Sequence, residues 1–327
     1  MSMIVGVDVG GTNVVVGTMS ESGDDLYGLV TEPTLKELGP DAVVDQIVQM
    51  VDRSIASTRQ MLGEDNIEII GMGIGSPGPL DTASGTVLLT PNLGWTDMPL
   101  RDRVSAATGL PATLDNDANC AALGEWWKGA AQGGRVVLGI TIGTGIGGGI
   151  VLDGQIFHGA SDVAGEIGHA SINQTGRLCK CGNYGCLEAY ASGPAIAQRA
   201  TEGIEAGSAS RLPEYVGGDL SKITAKSVSE AARDGDEFCL DVIRETAQYL
   251  GGAIANLVNI FNPDYVVVCG GVTLAGDDLF EPLRNQVRLR AFRPAVLACT
   301  IAAGTLTGTA GVYGAVASFK IQKKRKL

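Results

Sequence analysis

What this chain of 327 residues lacks narrows its class first. No apolar run approaches the ~20 residues that a membrane-spanning helix requires, which excludes a helical membrane protein. No apolar targeting segment precedes the first strand-like run at Met3, so the expected location is the cytoplasm. Basic residues are in deficit. Lys+Arg 24 against Asp+Glu 36 gives a net charge of −12, which argues against nucleic acid or an anionic membrane as the main partner. An anionic nucleotide is still compatible, because backbone amides and a metal ion hold it locally. There are only two histidines, and seven cysteines, an odd number that suits no full disulfide framework. In a reducing compartment, clustered thiols suggest metal before disulfide.

What is present points to two globular domains of about 150 residues each. Apolar residues form 45% of the chain, enough for two cores. The 47 glycines gather at strand ends, where tight turns or phosphate approach require them. Residues Met3–Val9 read as a buried strand, Gly10-Gly11-Thr12-Asn13 as a turn, and Val14–Met19 as a returning strand. The spacing predicts a helix over Asp41–Leu62, a strand over Ile67–Gly75, and a short strand over Leu110–Leu114. Asp115-Asn116-Asp117 then caps a helix through Trp127. The pattern starts again at Val136–Ile142, with Gly143-Thr144-Gly145 as a turn and Gly149–Leu152 as the return. With an offset of 133, Gly6–Met19 (GVDVGGTNVVVGTM) aligns with Gly139–Leu152 (GITIGTGIGGGIVL), the mark of a duplicated α/β domain. A helix over Glu237–Phe261, a strand over Tyr265–Cys269 and a helix over Asp277–Arg290 follow. Ala206–Asp219 reads as an exposed loop, and Lys323-Lys324-Arg325-Lys326 as a solvated tail.

Four constellations carry chemistry. Glycines at the first hairpin tip let backbone N–H groups approach phosphate oxygens, and Thr12 adds a hydroxyl. Asp8, at the strand end, is placed to hold Mg²⁺ through water. A strand follows these glycines, so the motif is neither a Walker loop nor a dinucleotide fingerprint. The second hairpin has five glycines in the seven positions from Gly143 to Gly149, and the two tips read as the jaws of a phosphate clamp. Gly270-Gly271, between a strand and a helix, offers a flat surface suited to a purine. His169, with Cys179, Cys181 and Cys186 following after nine intervening residues, makes a closed Cys₃His set of structural-zinc composition. Asp115-Asn116-Asp117-Ala118-Asn119 has more polar groups than a helix cap needs. Asp117 at a helix start is a candidate base for a hydroxyl proton. Glu166 and Glu188 flank the cysteine cluster, either as surface charge or as acceptors for vicinal sugar hydroxyls.

Asp8–Asn13, Asp115–Asn119, Gly165–His169 and Cys179–Glu188 together resemble the ROK family of repressors and sugar kinases, over residues 3 to about 318. The resemblance implies a two-lobed actin-like, RNase H-like α/β fold with ATP and sugar in a central cleft. It implies a small domain, residues 1–115 plus a C-terminal helix at about 311–327, and a large domain, 116–310, with a zinc loop. It assigns Gly6–Asn13 and Gly143–Ile150 to ATP phosphates and Gly270-Gly271 to the adenosine. Asp117 would be the general base. Asn92, Asn116, Glu166, His169 and Glu188 would bind sugar hydroxyls, and His169, Cys179, Cys181 and Cys186 would bind zinc. Glucose is the first hexose implied, with N-acetylmannosamine, N-acetylglucosamine, fructose and allose as alternatives and homodimers or homotetramers as assemblies. One departure stands out: Asn13 occupies a position where many family kinases carry Lys. The family's repressors carry a helix-turn-helix segment before the first strand, and here only Met1-Ser2 precede it, so an enzyme is expected over a DNA-binding protein or a silent sugar sensor.

Overall fold

The computed structural model describes residues 1–63 and 67–325. In chain order the strands and helices are β1 (Ser2–Val9), β2 (Asn13–Ser20), β3 (Leu26–Pro33), α1 (Pro40–Leu62), β4 (Glu68–Ser76), β5 (Leu80–Asp81), β6 (Thr86–Thr90), β7 (Trp95–Met98), α2 (Leu100–Thr108), β8 (Ala112–Asn116) and α3 (Asp117–Trp127). There follow β9 (Val136–Ile142), β10 (Ile146–Leu152), β11 (Gln155–Ile156), α4 (Glu188–Ala191), α5 (Gly193–Glu205), α6 (Leu212–Tyr215), α7 (Ala225–Arg233) and α8 (Glu237–Phe261). The chain closes with β12 (Tyr265–Cys269), α9 (Asp277–Arg290), α10 (Arg293–Ala298), β13 (Thr300–Ala303) and α11 (Ala310–Arg325).

Two five-stranded sheets have the orders β3-β2-β1-β4-β8 and β11-β10-β9-β12-β13. They share one topology: the first strand of each hairpin lies centrally and pairs in parallel with a later strand, β1 with β4 and β9 with β12. The repeat read from the sequence is therefore a repeat of whole sheets. Its offset of 133 places the starts of β2 (Asn13) and β10 (Ile146) in register. The returning strand begins at Ile146 and not at Gly149 as expected from the glycines. Those glycines continue the strand, and Gly149 is bare because a Cβ there would lie 2.7 Å from that of Ala122 on α3.

The chain divides into two compact units, residues 1–135 with 149–165 and 305 onward, and residues 136–148 with 166–304. In the first unit, alternation along β1 sends Val5, Val7 and Val9 into a core with Val43, Val44, Ile47 and Met50 of α1. The opposite face sends Ile4 against Val312, Val316 and Phe319 of α11. Gly6 and Gly73, cross-strand partners, keep that face flat: a Cβ on Gly6 would lie 2.5 Å from the carbonyl of Val312, and one on Gly73 1.8 Å from that of Ala315. By the same alternation Asp8 projects on the α11 side, where a Cβ on Gly311 would meet its carboxylate at 2.2 Å. Short β5, β6 and β7 form a separate three-stranded sheet that buries Trp95 in the same core.

In the second unit the long α8 buries Leu250, Ile254 and Val258 along one stripe. It ends at Asn262, whose left-handed backbone (φ 45°) closes the helix. The segment 206–219 is not wholly an exposed loop. Leu212 opens the short α6, followed by Pro213, and is fully buried, a contact that the local sequence does not announce. The basic stretch begins as the last turn of α11 with Lys323 exposed, and Lys326 lies outside the described residues. Among the described residues no helix is long and apolar enough to cross a membrane.

Candidate active site

In the first unit the tip of the β1–β2 hairpin is closed by a hydrogen bond from the Gly10 N–H to the Asn13 carbonyl at 2.8 Å. Thr12 and Asn13 are exposed at the tip. A Cβ on Gly11 would touch only that of Asn92, at 3.7 Å, so Asn92 stands beside this tip. Gly6 is buried mid-strand against α11, and its lack of a side chain is accounted for by that packing.

The start of α3 supplies the carboxylates. Strand β8 extends through Asn116 because β4 continues alongside it, pairing Gly75 with Asp115 and Ser76 with Asn116. The cap is Asn116: its Oδ1 accepts the N–H groups of Ala118 at 2.9 Å and Asn119 at 3.1 Å. Asp117, half-buried at the first helical position, accepts the Ala118 N–H at 2.8 Å. Asp115 is turned away and is 1% exposed. Burial first, and then the charge of Asp117, push the Asp8 carboxyl up to about 7. Burial also raises the Cys120 thiol well above its ordinary value, helped by Asp115, Asp8 and Asp117, so three carboxylates crowd the start of α3.

In the second unit the β9–β10 turn is closed by the Gly143 N–H donating to the Gly145 carbonyl at 2.9 Å. Its glycines serve different ends. A Cβ on Gly143 would meet open space, whereas one on Gly145 would lie 2.5 Å from Glu188 Oε2. Gly143 and Thr144 line a cavity of ≈ 670 Å³ with Pro194 of α5, the Thr224–Arg233 face of α7, and Gly271 with Val272. That size suits a small-molecule ligand. Gly271 borders this cavity. Gly270 holds positive φ (104°), and a Cβ on it would lie 2.0 Å from the carbonyl of Ile142, so close strand packing accounts for it.

The cysteine loop folds as the sequence implied. Gly182 and Gly185 both hold positive φ, and the Cys179 N–H reaches the Asn183 carbonyl at 2.8 Å, which turns Cys186 back toward Cys179. The ligand atoms of His169, Cys179, Cys181 and Cys186 all lie within 4.8 Å of one another. Cys181 Sγ is 3.7 Å from Cys186 Sγ, and Cys179 Sγ is 3.9 Å from His169 Nδ1. Thiolates around a tetrahedral zinc with bonds of about 2.3 Å stand about 3.8 Å apart, so the donor set fits that ion. Glu188 Oε2 accepts the Ile146 N–H at 2.9 Å and its Oε1 lies 3.8 Å from Cys179 Sγ. Glu166 is exposed one turn before His169, whose N–H donates to the Glu166 carbonyl at 3.1 Å.

The pattern that defines the ROK family matches residues 4–322. The chain belongs to the ROK family. Among its ROK relatives, a glucokinase of Halalkalibacterium halodurans is 40% identical over 316 residues, 95% of this chain and 92% of that enzyme. A solved ROK glucokinase from Streptomyces griseus, in complex with glucose and AMPPNP, superposes with a TM-score of 0.81 at 35% identity, covering 96% of this chain and 98% of that one. A more distant ROK relative, a xylose repressor of Caldicellulosiruptor bescii, is 34% identical over 96% of this chain and 77% of its own length. The two matched sheets are those of the actin-like ATPase fold that ROK sugar kinases share.

Sequence reasoning missed one pair. His158 Nε2 lies 3.0 Å from Asp115 Oδ2, although 43 residues separate the two. Histidine scarcity was the only available signal, and no local spacing links them.

Proposed function

We propose that this chain is an ATP-dependent hexose kinase that phosphorylates the 6-hydroxyl of glucose. The observation that carries the reading is 40% identity to a glucokinase along nearly the full length of both chains. The site residues support it. Asp117 would accept the hydroxyl proton, and Asn116 beside it would orient that hydroxyl. Asn92, Glu166, His169 and Glu188 would bind the remaining hydroxyls. Phosphoryl transfer asks mainly for positioning and charge stabilisation, which a placed base and backbone amides at glycine turns can supply. Backbone amides of Gly10–Asn13 and of Gly143–Gly145 would receive phosphate oxygens, and the cavity beside Gly271 would receive the nucleoside.

The Cys₃His set would hold a structural zinc that keeps its loop in shape. His169 would face the metal with Nδ1, the nitrogen beside Cys179 Sγ, which leaves Nε2 to the sugar. Asp8 would hold Mg²⁺ through water; the ion would supply charge neutralisation at the phosphates. Free thiols suit a cytoplasmic enzyme. Exposed Leu289, Phe292 and Leu297 suit a homo-oligomer, which light scattering would test. A kinetic panel of glucose, N-acetylmannosamine, N-acetylglucosamine, fructose and allose with ATP decides the substrate. Glucose should give the highest kcat/KM, and a higher value for any other sugar overturns the glucose assignment.

A further inference from the structure

The geometry points to His158 as a positioning residue that, through Asp115, holds the turn carrying Asn116 and Asp117 in its reactive arrangement. The inference rests on the reading of Asp117 as the base. His158 lies on the loop after β11, and its Nε2–H reaches both oxygens of Asp115, Oδ2 at 3.0 Å and Oδ1 at 3.2 Å. A carboxylate only accepts, so Nε2 carries the proton in this pair. Three other donors complete the environment: Ser318 Oγ on α11 at 3.0 Å, the Asn116 N–H at 2.9 Å and Asn119 Nδ2 at 3.4 Å. Gln322 in turn donates to Ser318 Oγ at 3.0 Å. Asp115 thus ties together a loop, a strand end, α3 and α11, all within the first unit.

The physical need is plain. Asp115 is almost fully buried, and Asp8 and Asp117 crowd the same helix start. A buried carboxylate short of donors rotates toward water or toward a different donor. Here either change moves the Asn116 N–H, which Asp115 Oδ1 accepts, and Asn116 is the cap that sets the direction of Asp117. His158 is the donor that touches both carboxylate oxygens, so it fixes the plane of the group. Its side chain keeps 22% exposure, so replacing it opens no core cavity.

The test compares His158→Asn with His158→Gln. Glutamine Nε2 reaches the place of the imidazole Nε2, and asparagine stops at the place of Nδ1. His158→Asn should lower kcat by about 10- to 100-fold with the KM for MgATP little changed, as small misplacement of a reacting group does. His158→Gln should return kcat to within about threefold of wild type. Equal kcat values in the two variants, or more than half of wild-type kcat in His158→Asn, would overturn the proposal. Asp117→Asn run in parallel separates the two ideas. Loss of kcat there, with His158 variants that behave alike, removes the positioning role only. Near-wild-type kcat in Asp117→Asn removes the base, and the reason for His158 with it.

Discussion

Glu188 Oε2 accepts the backbone N–H of Ile146 at 2.9 Å, so the residue two positions after Cys186 also holds the strand that leaves the Gly143–Gly145 turn. The cysteine loop and the Gly143–Gly145 turn of the second unit are thereby one mechanical piece. Gly145 is the keeper of this contact, because its missing Cβ would lie 2.5 Å from that same oxygen. Gly145→Ala should displace the flexible carboxylate and leave the fold intact. We expect the KM for glucose to rise about 10-fold or more, the scale of a lost hydrogen bond to a charged group. Steady-state kinetics at saturating ATP, with circular dichroism as the control for folding, checks this.

Metal removal should reach the sugar through the same piece. Cys181→Ala takes away one of the four candidate ligands, and the loop bearing Cys186 and Glu188 should loosen. Elemental analysis should find near one zinc per chain in the wild type and far less in the variant, with a higher KM for glucose. Less than about 0.3 zinc per chain in wild type never exposed to chelator rules out the zinc assignment.

Asp117→Asn and Asp115→Asn should both lower kcat, and only the second should also cost stability. Asp117→Asn should lower kcat by about 10²–10⁴-fold with little change in equilibrium glucose binding. Asp115→Asn disturbs a buried acceptor of four donors, and it should lower stability by about 1–3 kcal/mol. Thermal melts and kcat measured side by side distinguish a base from a brace.

The Asp8 carboxyl sits at about 7 through burial and the Asp117 charge, against 3.8 for an ordinary aspartate. A raised carboxyl binds a proton in the folded state where the unfolded chain has lost it. Stability without ligands should therefore fall as pH rises between those two values and level off above about 7. Mg²⁺ needs the deprotonated form. The KM for MgATP should thus drop from pH 6 to pH 8 (about one unit either side of the group), with proton release on binding near neutrality. Calorimetry in buffers of different ionisation enthalpy measures that release. Asp8→Asn should abolish both, and a wild-type KM flat across that range removes Asp8 from the metal role.

Local pattern determined much of this protein. The two glycine hairpins, the helices at Glu237–Phe261 and Asp277–Arg290 and the strand at Tyr265–Cys269 were legible because periodicity and turn residues act over neighbouring positions. The Cys₃His loop was legible because ligand spacing and two glycines suffice to fold it. Tertiary structure decided the rest. β5 and β7 are too short to carry a period, and with β6 they form a sheet whose Trp95 and Leu80 complete a core laid down by distant strands. Whether a glycine serves a ligand or a neighbour depends on what lies across from it: Gly143 faces open space, Gly6 faces α11, and Gly145 faces Glu188. The bond from His158 to Asp115 and the tie of Ser318 to the same carboxylate span 43 and 203 residues. No local rule encodes such pairings, because they arise only when sheet order brings a loop, a strand end and the last helix around one buried charge.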